Sequence, residues 1–274
     1  MRLVFRNVRG QEIVLGHVQP YWLDRHIGIN AGEAQIATFG LAQHGVGVSN
    51  IRLRERKIDL LGRITDAAKK SRMMTVCAPK MLGDLLIGER GIRCIVQKCE
   101  QLPPEPGEVL WRYALTLLAP FPYFYDVCET TKHLVSWERQ LIFPLTLPAE
   151  RTFIFGTRGD SGQVTVQNFG QVACPCVLRI AARGTVHNPS ISIVETGDEL
   201  AFDFTMQMGD VIEIDTFAKR VILNGQPNFA ILDKRSVFLW LPEGESVIRY
   251  AASSGAMAME VAIRFRQYFI GGIA

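Results

Sequence analysis

Two β-rich domains are what this sequence predicts, and three observations carry that reading. The 274 residues exceed one average domain, apolar residues recur at every second position through much of the chain, and turn residues punctuate those runs at short intervals. Charge is unevenly divided as well: residues 1–126 hold 17 Lys and Arg against 12 Asp and Glu, whereas the remainder holds 13 against 15. With 48% hydrophobic and 21% charged residues, the chain can bury enough apolar surface to offset its ordering entropy. The reading is a mainly β chain with a first domain at 1–126, a packed linker at 127–150 and a second domain at 151–274.

The first domain opens on a β-hairpin, in which Leu3 and Phe5 alternate with Arg2 and Arg6, Arg9-Gly10 turns the chain, and Ile13 to Leu15 form the return. Residues 24–49 lose this period. They are rich in Gly, Ala and Asn, including Gly28, Gly32, Gly40, Gly45 and Gly47, and loops this long inside a compact domain are usually functional. Two readings stand, an extended hairpin reaching a neighbour and a mobile loop. Strand character returns over Asn50–Leu61. Thr65-Asp66 then caps a short helix in which Ala67, Ser71, Met74 and Ala78 recur at helical spacing, and Pro79 stops it. Strands are predicted at Asp84–Ile87, Ile92–Cys99 and Val109–Leu118, and the proline-rich Leu102–Gly107 between the last two is a surface turn. From Pro120 to Pro148 prolines and aromatics cluster, which marks the junction, and their apolar content predicts a linker packed on one domain.

The second half alternates more cleanly. Leu200, Phe202, Phe204, Met206 and Met208 fall on one face of a predicted strand, with Glu199, Asp203, Thr205 and Gln207 on the other. The same period runs through Val164 and Val166, Cys174 to Ile180, Ile191 and Ile193, Ile212 and Ile214, and Met257 to Phe265. Turns fall at Asn168–Gly170, Asn188-Pro189, Gly197-Asp198, Gly209-Asp210, Asn224-Gly225 and Gly244. Many short antiparallel strands with spaced turns predict a β-sandwich.

The chemistry-bearing residues do not converge. His17, His26, His44, His133 and His187 are scattered, and the cysteines Cys77, Cys94, Cys99, Cys128, Cys174 and Cys176 form no CxxC pair and read as buried thiols. Glu213 and Asp215 share the outer face of one strand, where alternation alone places charge. Glu195, Asp198 and Glu199 surround and solvate a turn. Gly45-Val46-Gly47 lacks the helix and acidic partner of a dinucleotide fingerprint. Arg52, Arg54, Arg56 and Lys57 alternate with Ile51, Leu53 and Ile58, which reads as a solvated strand face or as one facing DNA or an acidic neighbour. The surplus of about five positive charges on residues 1–126 is too small to be read by itself as a nucleic-acid footprint. Catalytic residues: none; cofactor: none; metal: none. The reading is not an enzyme. Met1 to Leu15 shows no signal peptide and no apolar run of ~18 residues occurs, so no membrane contact is expected.

The turn and strand residues of the second half, in order, resemble those of the distal tail proteins of long-tailed, non-contractile bacteriophages. They are Asn168-Phe169-Gly170, Cys174-Pro175-Cys176, Asn188-Pro189 with Ile191, Gly197, the run Gly209 to Thr216, Val221, Leu223-Asn224-Gly225, Leu241-Pro242 with Gly244, Ile248, Tyr250, Tyr268 and Gly271. The first half is similar in its short helix before Pro79, the Gly83 to Gly91 strand pair, the proline turn and the Pro120 to Phe124 exit. Residues 160–271 carry the strongest likeness and 20–60 the least, and Ser246 stands where the family often has Asn. The resemblance implies a tail-tube-like N-terminal sandwich or barrel with one helix, and a galectin-like C-terminal β-sandwich. It further implies a hexameric ring of this chain at the distal end of the virion tail, made in the host cytoplasm. Its partners would be the tail tube protein, tail-tip proteins and receptor-binding or other baseplate proteins, with genome DNA passing the channel without specific binding. A galectin-like sandwich also raises carbohydrate binding for host adhesion, with Trp22, Trp111, Trp137 and Trp240 as stacking platforms. Phe238 and Trp240 equally read as one core face of a strand.

Overall fold

The computed structural model describes residues 1–41, 44–104, 106–134, 137–139, 156–158 and 162–272, the segments 137–139 and 156–158 by backbone alone. The chain divides into two compact units, residues 1–128 with 268–274, and residues 129–267.

The first unit begins with β1 (Arg2–Asn7), β2 (Glu12–Gly16) and β3 (Tyr21–Ile27), followed by β4 (Ala34–Gly40), β5 (Val46–Leu53) and β6 (Arg56–Ile64). After α1 (Lys70–Val76) come β7 (Leu82–Ile87), β8 (Arg90–Leu102), β9 (Trp111–Ala119) and β10 (Phe124–Asp126). Strand order β8-β7-β1-β2-β3-β6-β9 closes on itself, because β8 also pairs with β9. A closed barrel results, which removes the open edges of those strands. β8 bends to serve both ends of the closure: Arg90–Ile95 pair with β7, Ile95–Leu102 pair with β9, and the register of the second pairing shifts between Val96 and Lys98. Period-2 alternation sends Leu3, Phe5, Leu15, Ile58, Leu60 and Leu117 inward to complete burial. The β1–β2 hairpin has the expected register, Leu3 opposite Leu15 and Phe5 opposite Ile13.

The helix is capped as its sequence indicates. Asp66 accepts a hydrogen bond from the Ala68 amide at 2.9 Å, starting a 3₁₀ turn over Ala67–Lys69 that leads into α1. Its buried face, however, is Met73, Val76 and Cys77, while Met74 on the expected stripe is 39% exposed. The apolar stripe is offset by one residue because Cys77 and Met73 reach the barrel core. Asn50–Leu61, read as one strand, is two strands broken before Arg56, and Val109 lies outside β9 at 88% exposure.

In the second unit β11 (Thr130–His133) precedes a short ladder of β12 (Trp137–Arg139) with β13 (Gly156–Arg158). There follow β14 (Gln163–Asn168), β15 (Cys174–Ala182), β16 (Val186–His187), β17 (Ser190–Ile193), β18 (Glu199–Ala201) and β19 (Thr205–Met206). The unit ends with β20 (Val211–Asp215), β21 (Arg220–Leu223), β22 (Gln226–Pro227), β23 (Trp240–Leu241), β24 (Gly244–Ala251) and β25 (Met259–Phe265). One antiparallel sheet runs β11-β25-β15-β20-β21-β22 and the other β14-β24-β17-β18. Leu178, Ile180, Ile212, Ile214 and Ile263 are buried from the first sheet, and Val166, Ile191, Leu200 and Ile248 from the second, the two-layered core of a sandwich.

Leu200 to Met208 is not one strand. Its first residues pair with β17 and Thr205-Met206 with β16, and Met208 is 79% exposed in the turn that follows. Phe238 and Trp240 are half-buried, because the core takes the opposite phase, Leu239 and Leu241. Met257 is exposed in a 3₁₀ turn ahead of β25.

The chain then returns to the first unit. Its closing strand β26 (Tyr268–Phe269) pairs antiparallel with β10, Tyr125 opposite Tyr268 and Phe124 opposite Phe269. The described part of the expected 127–150 linker includes β11 of the second unit, and residues 135–136 and 140–150 lie outside the described residues.

Candidate assembly surface

Residues 34–53 form a hairpin that stands apart from the barrel: β4 and β5 pair with each other in a two-stranded sheet of their own. Its register sets Ala34 opposite Leu53, Ile36 opposite Ile51, Thr38 opposite Val48 and Gly40 opposite Val46, with a bulge that skips Ser49. Paired residues share a face. One face therefore carries Ala34, Ile36, Val46, Val48, Ile51 and Leu53, and the other Gln35, Ala37, Asn50 and Arg52. Arg52 Nε donates to Gln35 Oε1 at 3.0 Å, and Arg54 bridges Glu33 at 2.9 Å on the polar side. Phe39 lies across Gly47, where a Cβ would come within 2.2 Å of the ring, so the aromatic replaces the side chain this strand position lacks.

The apolar face lies open, with Ile36 54%, Val46 64%, Val48 53% and Ile51 65% exposed. An isolated two-stranded hairpin is marginal in water, and a contiguous apolar face on it marks an interaction surface.

Arg56 holds the root of this arm. It is 4% exposed, and its guanidinium donates to four main-chain carbonyls: Nε to Pro122 at 2.8 Å, Nη1 to Gly28 at 3.0 Å and Ile29 at 2.9 Å, and Nη2 to Ile270. The Phe124 ring lies 5.2 Å away. Burial holds the Arg56 pKa below its ordinary value. Gly28 has φ +90°, and a Cβ there would meet the Lys57 carbonyl at 2.0 Å, so only glycine lets the chain pass so close to β6.

The basic run is thus not one face. Arg52 and Arg54 lie on the hairpin, Arg56 is internal, and Lys57 sits 3.6 Å from Asp59. Arg56 shares the parity of Ile58, Leu60 and Ile64, and that phase was the signal for its burial.

The remaining candidates stay dispersed. All five histidines are exposed, and His187 Nδ1 lies 2.9 Å from Thr205 Oγ1. Among the described residues, no group of three or more His, Cys, Asp or Glu is arranged to hold a metal ion. Glu213 faces Arg179 at 3.9 Å and Asp215 faces Arg220 at 3.1 Å, each paired with its own arginine. Glu195, read as solvating a turn, instead accepts from the Val247 amide at 2.9 Å. Cys128 is exposed, whereas the other five cysteines are buried. Trp22 meets His17 edge-on at 4.9 Å, Trp111 lies under Lys70 Nζ at 3.7 Å, and Trp240 is 6.4 Å from Phe217. The Trp137 side chain lies outside the described residues.

Residues 169–269 match the family of siphovirus-type tail components, in its C-terminal domain. Over that stretch the second unit is similar to the C-terminal domain of siphovirus-type tail components. The resemblance read from its turn and strand residues is borne out over the stretch where it was strongest. Over the whole chain the fold is similar to that of the Dit protein (gp 19.1) of phage SPP1, a hub of the adsorption apparatus in phages that infect Gram-positive hosts. The two share 11% identity, 97% of this chain and 99% of that one are covered, and the TM-score is 0.71. A chain of the phage p2 baseplate in its activated conformation is also similar, at 9% identity, 96% and 97% coverage and a TM-score of 0.51. No curated protein sequence matches the chain.

The second unit is a sandwich built on the turns that carried the likeness. Asn168 is buried and its Nδ2 donates to the carbonyls of Val172, Leu241 and Pro242, tying the turn before β15 to the end of β23. Asn224 Oδ1 accepts from the Val211 amide at 2.8 Å while Nδ2 donates to Asp210, which fixes two turns together. Ser246 is fully buried and its Oγ has no hydrogen-bond partner among the described residues.

Proposed function

We propose that this chain is a structural subunit at the distal end of a long, non-contractile phage tail, where copies of its first unit close into a hexameric ring and the second unit serves as an adaptor. The ring joins the tail tube to the tail tip and to receptor-binding or other baseplate proteins. Genome DNA passes its channel without sequence-specific contact.

One observation carries the ring: a hairpin with an exposed apolar face projects from a barrel whose strands β8-β7-β1-β2-β3-β6-β9 close on themselves. A surface on one copy that fits a different surface on the next makes a heterologous contact, and such contacts satisfy every copy only when they close. Burying the open face recovers on the order of 1 kcal/mol for each half-exposed aliphatic side chain. The same contact, repeated round a ring, adds in every interface. The catalytic reading has no comparable support, since Glu213 and Asp215 each face an arginine and the histidines are dispersed over the surface.

Light scattering across a concentration series, with negative-stain imaging of the largest species, tests the reading. Open-centred rings are expected. A chain that stays monomeric at all concentrations, alone and with a tail tube protein of the same phage type, would refute the ring, and specific retention of that monomer on a glycan array would favour the carbohydrate-binding reading.

A further inference from the structure

Four segments remote in sequence meet at one guanidinium. Arg56 opens β6, two residues after the chain leaves β5 at Arg54, Gly28 and Ile29 lead into β4, Pro122 precedes β10, and Ile270 follows β26. Both legs of the hairpin arm are therefore fixed by the same group that holds the returning chain end. Around it the end is further secured. Arg90 Nη1 donates to the Gly271 carbonyl at 2.8 Å and its guanidinium lies 3.9 Å over the Phe269 ring. The Gly272 amide donates to the Ile29 carbonyl at 3.3 Å, at the arm's own root. Gly272 is buried, and a Cβ there would come within 2.7 Å of Phe124 and 3.0 Å of Ile29, so the end fits only as backbone.

A buried cation held by neutral carbonyls depends on all of them, because each lost acceptor leaves an N–H and a charge in low dielectric without compensation. The residues that supply one of these acceptors are synthesised only after the entire second unit.

We propose that residues 268–272 are a clasp that sets the hairpin arm, so that a chain becomes competent to join its neighbours only after the second unit has folded and returned its end. The clasp is a property of the single chain. Its consequence for assembly rests on the ring reading above.

Hydrogen exchange on the dilute, monomeric chain tests the clasp. Two variants undock the end, a chain stopped after Gln267 and the full-length Gly272→Val. In both, amides of residues 28–33 and 53–57 are expected to exchange roughly ten-fold faster or more, while β1 and β7 keep their protection. A peptide of residues 266–274 restores protection to the shortened chain. Unchanged root protection in Gly272→Val overturns the clasp, whatever the shortened chain does. Light scattering then reads the consequence: both variants are expected to lose the assembly seen in the parent, and variants that assemble like the parent overturn the competence step. A parent that never assembles counts against the ring reading alone, because the exchange result is obtained on monomer.

Discussion

At the scale of single residues, buried polar groups make the sharpest demands. Arg56→Met keeps the aliphatic volume but strips four carbonyls of their donor, and a loss of about 3 kcal/mol or more is expected in urea unfolding. Arg56→Lys does not rescue it, since one ammonium cannot reach acceptors spread round a planar fork. Tyr113 makes the opposite case. Its hydroxyl is buried with no hydrogen-bond partner among the described residues, and burial pushes its pKa up. Tyr113→Phe should leave stability unchanged or raise it by about 1 kcal/mol, and a destabilised variant would reveal a partner for that oxygen. The buried thiols predict a pH effect. Burial raises Cys94, Cys174 and Cys176 to about 12 and Cys99 to about 11. An unfolded thiol ionises near about 8.5, so the unfolded chain releases protons that the native chain keeps. Their contribution is full below that value and is lost as pH climbs towards the folded pKa, by at most about 1.4 kcal/mol per thiol per pH unit. The urea midpoint should fall steeply above about pH 9, and less steeply in Cys176→Ala.

Among the elements, the hairpin separates assembly from stability. Ile36 and Ile51 face each other on the open side, and neither is buried within its own chain. Ile36→Glu with Ile51→Glu should therefore leave the thermal midpoint of the monomer within a few degrees while abolishing the large species in light scattering, because two charges would have to be buried in every interface. Equal assembly by parent and variant would place the contact elsewhere. The sequence of residues 24–49 fits an arm and a loop alike for a physical reason. The apolar face is divided between two strands, and the bulge at Ser49 shifts the phase from Val48 to Ile51, so no single window shows an alternation. The helix was legible from Asp66 and Pro79, which act locally, but its buried face was not, since the barrel decides which stripe turns inward. The sandwich turns were legible because Asn168, Asn224 and the glycines near them act through bonds to nearby backbone, and they lie at or within the stretch that matches the tail-component family.

For the whole molecule, the decisive feature is one that no local pattern announces: the chain end pairs with β10 across more than 140 residues of intervening sequence. The first unit is thereby interrupted by the second, and its covalent continuity runs through a folded insert. Because Tyr125 lies opposite Tyr268 in an antiparallel pair, the two points where the chain leaves and re-enters are close enough for a short linker. Replacing residues 129–267 by about six Gly and Ser residues should therefore give a first unit that folds alone and melts cooperatively. A chain ending at Cys128 lacks Ile270 beneath Arg56 and Phe269 beneath Arg90, and should melt several degrees lower. Circular dichroism melts of the two proteins decide the matter. Equal midpoints would mean that the returning end adds nothing to the barrel, and failure of the linked protein to fold would mean that the second unit is required for more than supplying that end.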